Sequence, residues 1–224
     1  MALTSSLWEL FPLAKRRPPR AKSIRIGTAL VLPSSSRGRL ANPMKLLLIR
    51  HAAAVPQGTP GVRDDQRPLT REGKAKFRVA ARGLARVTRR PDVLLTSPLP
   101  RARVTAEIAA RAFENIAPTI EPALARSSVD GIVAALKTHP PGAKIALVGH
   151  EPLLGALLAR LLGATEGGRL AFEKGGAALV DLPDGPAADG RLCWFLKPRI
   201  LRTLSGPAAA HQVDPPSVAE RREV

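Results

Sequence analysis

The stretch KLLLIRH at residues 45–51 places a short apolar run directly before an arginine and a histidine. A second run, KIALVG at residues 144–149, ends in the same way at His150 and Glu151. Short apolar runs bounded by breaking residues are typical of buried parallel strands. In open α/β sheets, ligands bind at the carboxyl ends of such strands. The sequence therefore predicts that the two histidines share one crevice.

A third apolar run at residues 93–96 leads into the segment SPLPRA at residues 97–102, in which Arg101 opens a predicted helix. A guanidinium binds phosphate through two parallel hydrogen bonds, and an imidazole can attack phosphorus as a nucleophile. The helix that follows His150 adds an N-terminus, which favours anions. A phosphoryl-binding crevice is therefore predicted from four candidate catalytic residues: His51, His150, Arg50 and Arg101.

Strand and helix patterns alternate along the rest of the chain. Thr70 caps a predicted helix whose apolar positions share one face as far as Val87, and a second helix is predicted over residues 100–112. Further predicted elements are a strand near 119–120, a helix capped by Ser127 or Ser128 and ending near Lys137, a helix over 153–162 with Pro152 in its first turn, and strands over 176–182 and 192–196. This alternation predicts an α/β fold, a three-layer α/β/α sandwich with a mainly parallel central sheet and an antiparallel C-terminal edge hairpin.

The two ends of the chain differ in composition from the middle. Residues 1–43 carry eight Lys or Arg residues against one acid, Glu9, and show no sustained apolar period. We expect this segment to be either a disordered basic extension or an over-extended gene start, and Met44, which begins the first strand, is the favoured true start. The catalytic domain is predicted over residues 44–201, followed by a flexible tail at 202–224.

The formal net charge of +17 raises the question of a nucleic-acid partner. Aromatic residues make up only 3% of the chain and tyrosine is absent, so platforms for base stacking are scarce. The abundance of arginine also matches coding bias in a GC-rich genome. We therefore expect no nucleic-acid partner.

Several other function classes are disfavoured by composition. No apolar run approaches the roughly 18 residues of a membrane span, so no membrane partner is expected. A single cysteine, Cys193, forms no internal disulfide and fits a reducing compartment, so a cytoplasmic location is predicted. The protein is also expected to be a monomer. The four histidines and one cysteine show no metal-ligand spacing, and there is no glycine-rich nucleotide loop, so neither a metal nor a cofactor is expected.

Four segments resemble, in order, motifs of the histidine phosphatase (phosphoglycerate-mutase-like) superfamily: LIRHA at 48–52, RPLTREG at 67–73, TSPLPRARVTA at 96–106 and VGHEP at 148–152. The small size and the ending CWFLKP at 193–198 are most similar to the bacterial phosphohistidine phosphatases of the SixA group. This resemblance implies a metal-independent phosphatase in which His51 carries a transient phosphoryl group. It also implies that Arg50, Arg101 and His150 hold and neutralise that group.

The chain departs from the superfamily pattern at two positions. Ala52 replaces the glycine that commonly follows the nucleophile, a small change. Ala123 stands at the position aligned to the Glu or Asp that larger members use as general acid. Glu121, Asp64 and Asp65 remain open as substitutes, although the two aspartates are also typical of a solvated turn.

The expected function is removal of phosphate from phosphohistidine in proteins, because an imidazole leaving group needs less help from an acid than an alkoxide does. One alternative substrate class is small phosphomonoesters, such as sugar or nucleotide phosphates. An alternative of another class is a catalytically weak phospholigand-binding module, which the missing acid suggests. The expected partner is thus a phosphorylated protein or a small phosphorylated substrate.

Overall fold

A computed structural model describes residues 43–125, 128–164, 170–186 and 190–206. The predicted extension lies outside these residues except for Pro43, and so does the chain beyond Gly206. The described strands are β1 (Met44–Arg50), β2 (Val93–Thr96), β3 (Pro118–Ile120), β4 (Lys144–Gly149), β5 (Ala177–Leu182) and β6 (Arg191–Leu196). The helices are α1 (Arg71–Val87), α2 (Pro100–Ala112), α3 (Val129–Lys137), α4 (Leu153–Leu161) and α5 (Pro198–Leu204), with short 3₁₀ turns at Asp64–Gln66 and Pro122–Ala125.

The six strands form one sheet in the order β3-β2-β4-β1-β5-β6. The first four are parallel, while β5 runs antiparallel to β1 and β6 antiparallel to β5. The predicted sheet, mainly parallel with an antiparallel C-terminal hairpin at one edge, is confirmed. In the β1–β4 register Arg50 pairs with Gly149, so His51 and His150 leave the sheet side by side.

Helices cover both faces of the sheet, because the central strands are apolar on both sides. Side chains alternate across a strand, so Leu47 and Ile49 of β1 pack in one core with α1, α2 and Leu201 of α5. Leu46 and Leu48 pack in the other core with α3 and α4. These two cores make the three-layer sandwich that the sequence predicts.

The helix caps follow the sequence with one exception. The Thr70 side chain accepts a hydrogen bond from Gly73 N at 2.9 Å, and Ser128, one of the two predicted caps of α3, accepts one from Gly131 N at 3.2 Å. Pro152 was predicted in the first turn of α4, but the structure places it one position earlier, as the N-cap. A proline fits both positions, since it has no N–H to leave unbonded.

Helix α5 was not predicted, and it carries the folded chain beyond the expected domain boundary at residue 201. Leu201 is fully buried, and Ser205 is only 8% exposed. The contact with α1 depends on Gly83, where a Cβ would lie 1.9 Å from the Leu201 carbonyl oxygen. With seven residues and one buried side chain, α5 is too short to show an apolar period.

Within the described residues, no helix combines the length and apolar character needed to cross a membrane.

Candidate active site

Two histidines lie side by side where β1 and β4 end, with their ring planes tilted by 53°. The ring centroids of His51 and His150 are 5.0 Å apart, and the residues are only 5% and 9% exposed. The sheet ladder continues one step past β1, because His51 N donates to Gly149 O at 3.0 Å. The two strand ends therefore bring the two histidines together.

The surroundings of His51 determine which ring nitrogen can react. Its Nδ1 lies 2.8 Å from the Ala52 carbonyl oxygen, which can only accept a hydrogen bond. The neutral ring therefore carries its proton on Nδ1 and keeps a lone pair on Nε2. Ala52 is itself fixed, because its N–H donates to Thr105 Oγ1 at 3.0 Å, and that hydroxyl donates to Arg101 O at 2.6 Å. Hydrogen bonds thus tie the residue after His51 to the first turn of α2.

His150 is oriented by Ser97, a residue that the sequence analysis did not single out. His150 Nε2 lies 2.8 Å from Ser97 Oγ, while His150 Nδ1 is buried and has no partner among the described residues. Ser97 is fully buried at the end of β2, where its N–H donates to Val148 O at 3.0 Å. Its position directly after a predicted strand was the available signal.

The two predicted arginines lie close enough to the histidines for their charges to act on both rings. The Arg50 guanidinium donates through Nη1 to Phe172 O. Arg101, 6% exposed, donates through Nη1 to Asp64 O at 2.8 Å. In both arginines the Nε–H is buried and has no partner among the described residues. Buried donors are nearly always satisfied in native proteins, so these two nitrogens mark where an anion would bind.

A third arginine, Arg67, also reaches the crevice. Its side chain is 11% exposed and is held by Asp64 Oδ1 at 2.9 Å and by Val55 O at 2.9 Å. Burial is the main cause that lowers the pKa of Arg101, and the charge of Arg67 comes next. The motif containing Arg67 was recognised in the sequence, but nothing local indicated that the side chain would turn toward the site.

The backbone of Phe172 connects Arg50, at the end of β1, with Glu151, just after β4. Glu151 Oε1 accepts a hydrogen bond from Phe172 N at 2.9 Å. The Phe172 carbonyl oxygen in turn accepts a hydrogen bond from the Arg50 guanidinium. Burial lowers the pKa of Arg50, and the charge of Glu151 opposes this effect. The sequence did not predict these two contacts of Phe172, because residues 151 and 172 are far apart in sequence.

Of the three candidate acids, Asp64 alone contacts site residues in the described part of the chain. Its carboxylate faces Arg67 Nε at 2.9 Å and Arg101 Nη2 at 3.8 Å. Asp65 pairs instead with Arg63, whose side chain is 82% exposed. Glu121 turns back to accept from Ala123 N at 2.8 Å.

The electrostatics of the crevice keep both histidines neutral near pH 7. Burial is the main cause that lowers the pKa of His51 to about 4. The hydrogen bond to Ala52 O raises this pKa, and the charges of Arg101, Arg50 and Lys174 lower it further. Burial is likewise the main cause that lowers the pKa of His150 to about 3. The charges of His51 and of the site arginines lower this pKa further. The positive charge around the two histidines thus comes from fixed cations, while the His51 ring keeps a lone pair.

This electrostatic state predicts how the free protein titrates. Since the pKa of each ring lies below its ordinary value, both rings should remain neutral from about pH 8 down to pH 5 and add protons only below that. Inorganic phosphate should raise both pKa values, because an anion favours the charged imidazoles. The check is an NMR titration of the ring protons, assigned with His51→Asn and His150→Asn. A midpoint near the ordinary value of about 6.5 for either ring would contradict the buried geometry.

The lowered pKa values of His51 and His150 also determine whether the protein gains or loses stability as the pH falls. The unfolded chain binds protons at these histidines near pH 6.5, while the folded protein binds them only near pH 4 or below. The free energy of unfolding should therefore fall as the pH drops below about 6.5.

Residues 46–129 match the family model described as histidine phosphatase superfamily (branch 1). An uncharacterised protein of Picosynechococcus is 35% identical over 147 residues, which cover 64% of this chain and 87% of that protein.

Solved structures with the same fold include two SixA proteins. A protein histidine phosphatase SixA complexed with tungstate is 26% identical with a TM-score of 0.61, covering 70% of this chain and 99% of that one. A proposed phosphohistidine phosphatase SixA from Agrobacterium tumefaciens is 28% identical with a TM-score of 0.59, covering 69% and 97%. A mycobacterial glucosyl-3-phosphoglycerate phosphatase is 16% identical with a TM-score of 0.55, covering 70% and 100%, and shares the fold alone.

Proposed function

Because this chain belongs to the histidine phosphatase superfamily and is a phosphatase, we propose that its substrate is phosphohistidine displayed on a protein. In this proposal His51 is the nucleophile. Arg50 and Arg101 bind the phosphoryl oxygens, and His150 contributes a further donor. The similarity to a SixA protein complexed with tungstate, a phosphate-like oxyanion, supports binding of an oxyanion by this chain.

The observation that carries the proposal is a set of three buried nitrogens with no partner among the described residues: Arg50 Nε, Arg101 Nε and His150 Nδ1. The charges of Arg50 and Arg101 act on the His51 ring, and the His150 ring lies 5.0 Å from it. A tetrahedral anion would satisfy all three at once, and phosphoryl transfer depends mainly on such positioning and charge stabilisation.

The reaction we propose has two steps. His51 Nε2 attacks phosphorus, so that a P–N bond to His51 forms while the bond to the leaving group breaks and the leaving group takes a proton. Water then attacks the phosphorus, the P–N bond to His51 breaks, and inorganic phosphate is released. The guanidiniums neutralise the equatorial oxygens in both steps.

The choice of substrate follows from the acids around the site. Asp64 faces two guanidiniums, and Ala123 occupies the position aligned to the general acid of larger members. An alkoxide leaves poorly without a positioned acid, whereas an imidazole is readily protonated near neutral pH. This arrangement favours cleavage of P–N bonds over P–O bonds.

We propose that the reaction needs no metal, because the guanidiniums supply the positive charge. The described residues contain no group of three or more His, Cys, Asp or Glu side chains that could hold a metal ion. The sequence-based expectations of a cytoplasmic monomer stay predictions.

A phosphatase for small phosphomonoesters is the second candidate, and the placement of Asp64 beside Arg101 is the observation that favours it. In that case Asp64 would have to protonate the leaving alkoxide. The variant Asp64→Asn therefore separates the two functions.

A substrate comparison tests the proposed function. We expect kcat/KM for phosphohistidine peptide and for phosphoramidate to exceed that for sugar and nucleotide monophosphates by about a hundredfold or more, with EDTA present throughout. Asp64→Asn should retain most P–N activity, and Asp65→Asn is the matched control. A monophosphate ester as the best substrate, with loss of that activity in Asp64→Asn alone, would replace the proposal with the second candidate.

A further inference from the structure

An arginine-lined groove lies on the outer surface between α1 and α2, away from the histidines. It is lined by Arg78 and Arg82 of α1 and by Ile108, Arg111 and Ala112 of α2, and encloses about 220 Å³. We call it the α1–α2 groove. Its three arginines are exposed, while Ile108 is 6% exposed and forms an apolar floor. A groove with cationic walls over an apolar floor fits an amphipathic, acidic ligand.

The arginines of this groove lack counter-ions in the described part of the chain. No carboxylate there lies within 4.0 Å of Arg78, Arg82 or Arg111, although Glu107 is one turn before Arg111 on the same helix. Nearby Arg90, by contrast, pairs with Glu114 at 3.7 Å. The three arginines of the groove are therefore free of ion pairs in the described part of the chain, which favours association with an acidic partner.

The distance between the groove and the candidate active site restricts the size of that partner. Arg101 lies in the first turn of α2 and Arg111 in its last. With a rise of 1.5 Å per residue, the two arginines are about 15 Å apart along the helix. A ligand that reaches both must therefore be larger than a sugar or nucleotide monophosphate. A phosphorylated side chain on a folded protein meets this requirement.

We propose that the α1–α2 groove docks an acidic helical segment of the phosphorylated protein on which the enzyme acts. The inference rests on the proposed function. Arg78 and Arg82 are four residues apart on α1, so they face carboxylates spaced one turn apart on a partner helix. An apolar side chain of that helix packs against Ile108 and Ala112. Docking lowers KM for the protein substrate and leaves the chemical step at His51 unchanged.

The composition of the groove favours protein over nucleic acid. None of its five lining residues is aromatic, so the groove offers no surface on which a base could stack. An acidic helix needs only carboxylates and one apolar contact, and the groove provides partners for both.

The test uses two phosphohistidine peptides that differ only in their acidic segment. One carries three glutamates at one-turn spacing about 15 Å from the phosphohistidine, and the other carries glutamines there. We expect the acidic peptide to have a KM about tenfold lower with the native enzyme, and this advantage to disappear in the double variant Arg78→Glu/Arg82→Glu. The control Arg191→Glu/Arg199→Glu makes the same charge change at exposed positions on β6 and α5. It should keep the advantage, and kcat for phosphoramidate should be unchanged in both variants.

A separate binding measurement distinguishes failure of docking at the α1–α2 groove from failure of the proposed phosphatase function. The unphosphorylated acidic peptide should bind the native protein, with affinity that falls as salt rises, and should bind the double variant far more weakly. This result would support the groove even if phosphohistidine were not hydrolysed. Equal KM values for the two peptides, equal loss in the control variant, or tighter binding of a single-stranded oligonucleotide at the same arginines would overturn the proposal.

Discussion

Replacing His51 with asparagine is expected to lower kcat by about 10⁴-fold or more for every substrate, because no bond to phosphorus can then form on the enzyme. His150 is a poor substitute in this account, since its Nε2 is engaged with Ser97 and its Nδ1 is assigned to binding the anion as a donor. Asparagine can still donate to the Ala52 carbonyl, so the fold and the anion site should survive. The measurement is steady-state turnover, with circular dichroism and phosphate binding as checks on the folded state.

The matched control for this variant is His139→Asn, which changes a histidine in the turn after α3, outside the candidate site. It should keep full activity. Turnover above about one per cent of the native value in His51→Asn, with native-like folding, would show that another group is the nucleophile.

Replacing Arg101 with methionine should lower kcat/KM by about 10²- to 10³-fold, the usual cost of removing a preorganised donor from developing charge. Arg101 is nearly buried, and its Nε–H has no partner among the described residues, so this donor is available to a ligand. Methionine keeps the apolar stem and removes the charge. The variant Arg101→Lys should recover only part of the loss, because an ammonium lacks the planar pair of donors.

Arg103→Met is the control for this variant, since Arg103 is exposed two residues further along the same helix. Its kcat/KM should stay within about twofold of the native value, as expected for an exposed site without charged partners. Native kcat/KM in Arg101→Met would show that Arg101 serves the structure alone, through its bond to the Asp64 carbonyl.

Much of the fold could be predicted because the determining patterns are local. The apolar runs that form β1 and β4 are bounded by polar or breaking residues, and α2 begins at a proline, as its sequence suggests. The parallel arrangement then requires the ends of these strands to meet. Helix α5 could not be predicted, since it depends on contact with Gly83, about 115 residues earlier in the chain.

The candidate site divides in the same way. His51 and His150 were found because each directly follows a strand, and the sheet brings strand ends together. Arg67 and Lys174 were not found, because their approach depends on the path of loops that have no regular pattern. Which candidate acid contacts the site could be decided only from the three-dimensional structure, because Asp64 and Asp65 are adjacent in sequence and yet their carboxylates face different arginines.

The central claim is that the phosphoryl group passes through His51, and direct mapping of that group is the sharpest test. Native enzyme mixed with ³²P-labelled phosphohistidine peptide would be quenched within milliseconds in alkali, which preserves phosphohistidine, and digested with trypsin. Cleavage after Arg50 and Arg63 leaves His51 alone in peptide 51–63, and cleavage after Lys144 and Arg160 leaves His150 alone in peptide 145–160. We predict an early burst of label in peptide 51–63. Label in peptide 145–160, or turnover without any labelled enzyme, would contradict the account, and binding with neither label nor turnover would identify a phospholigand-binding module instead.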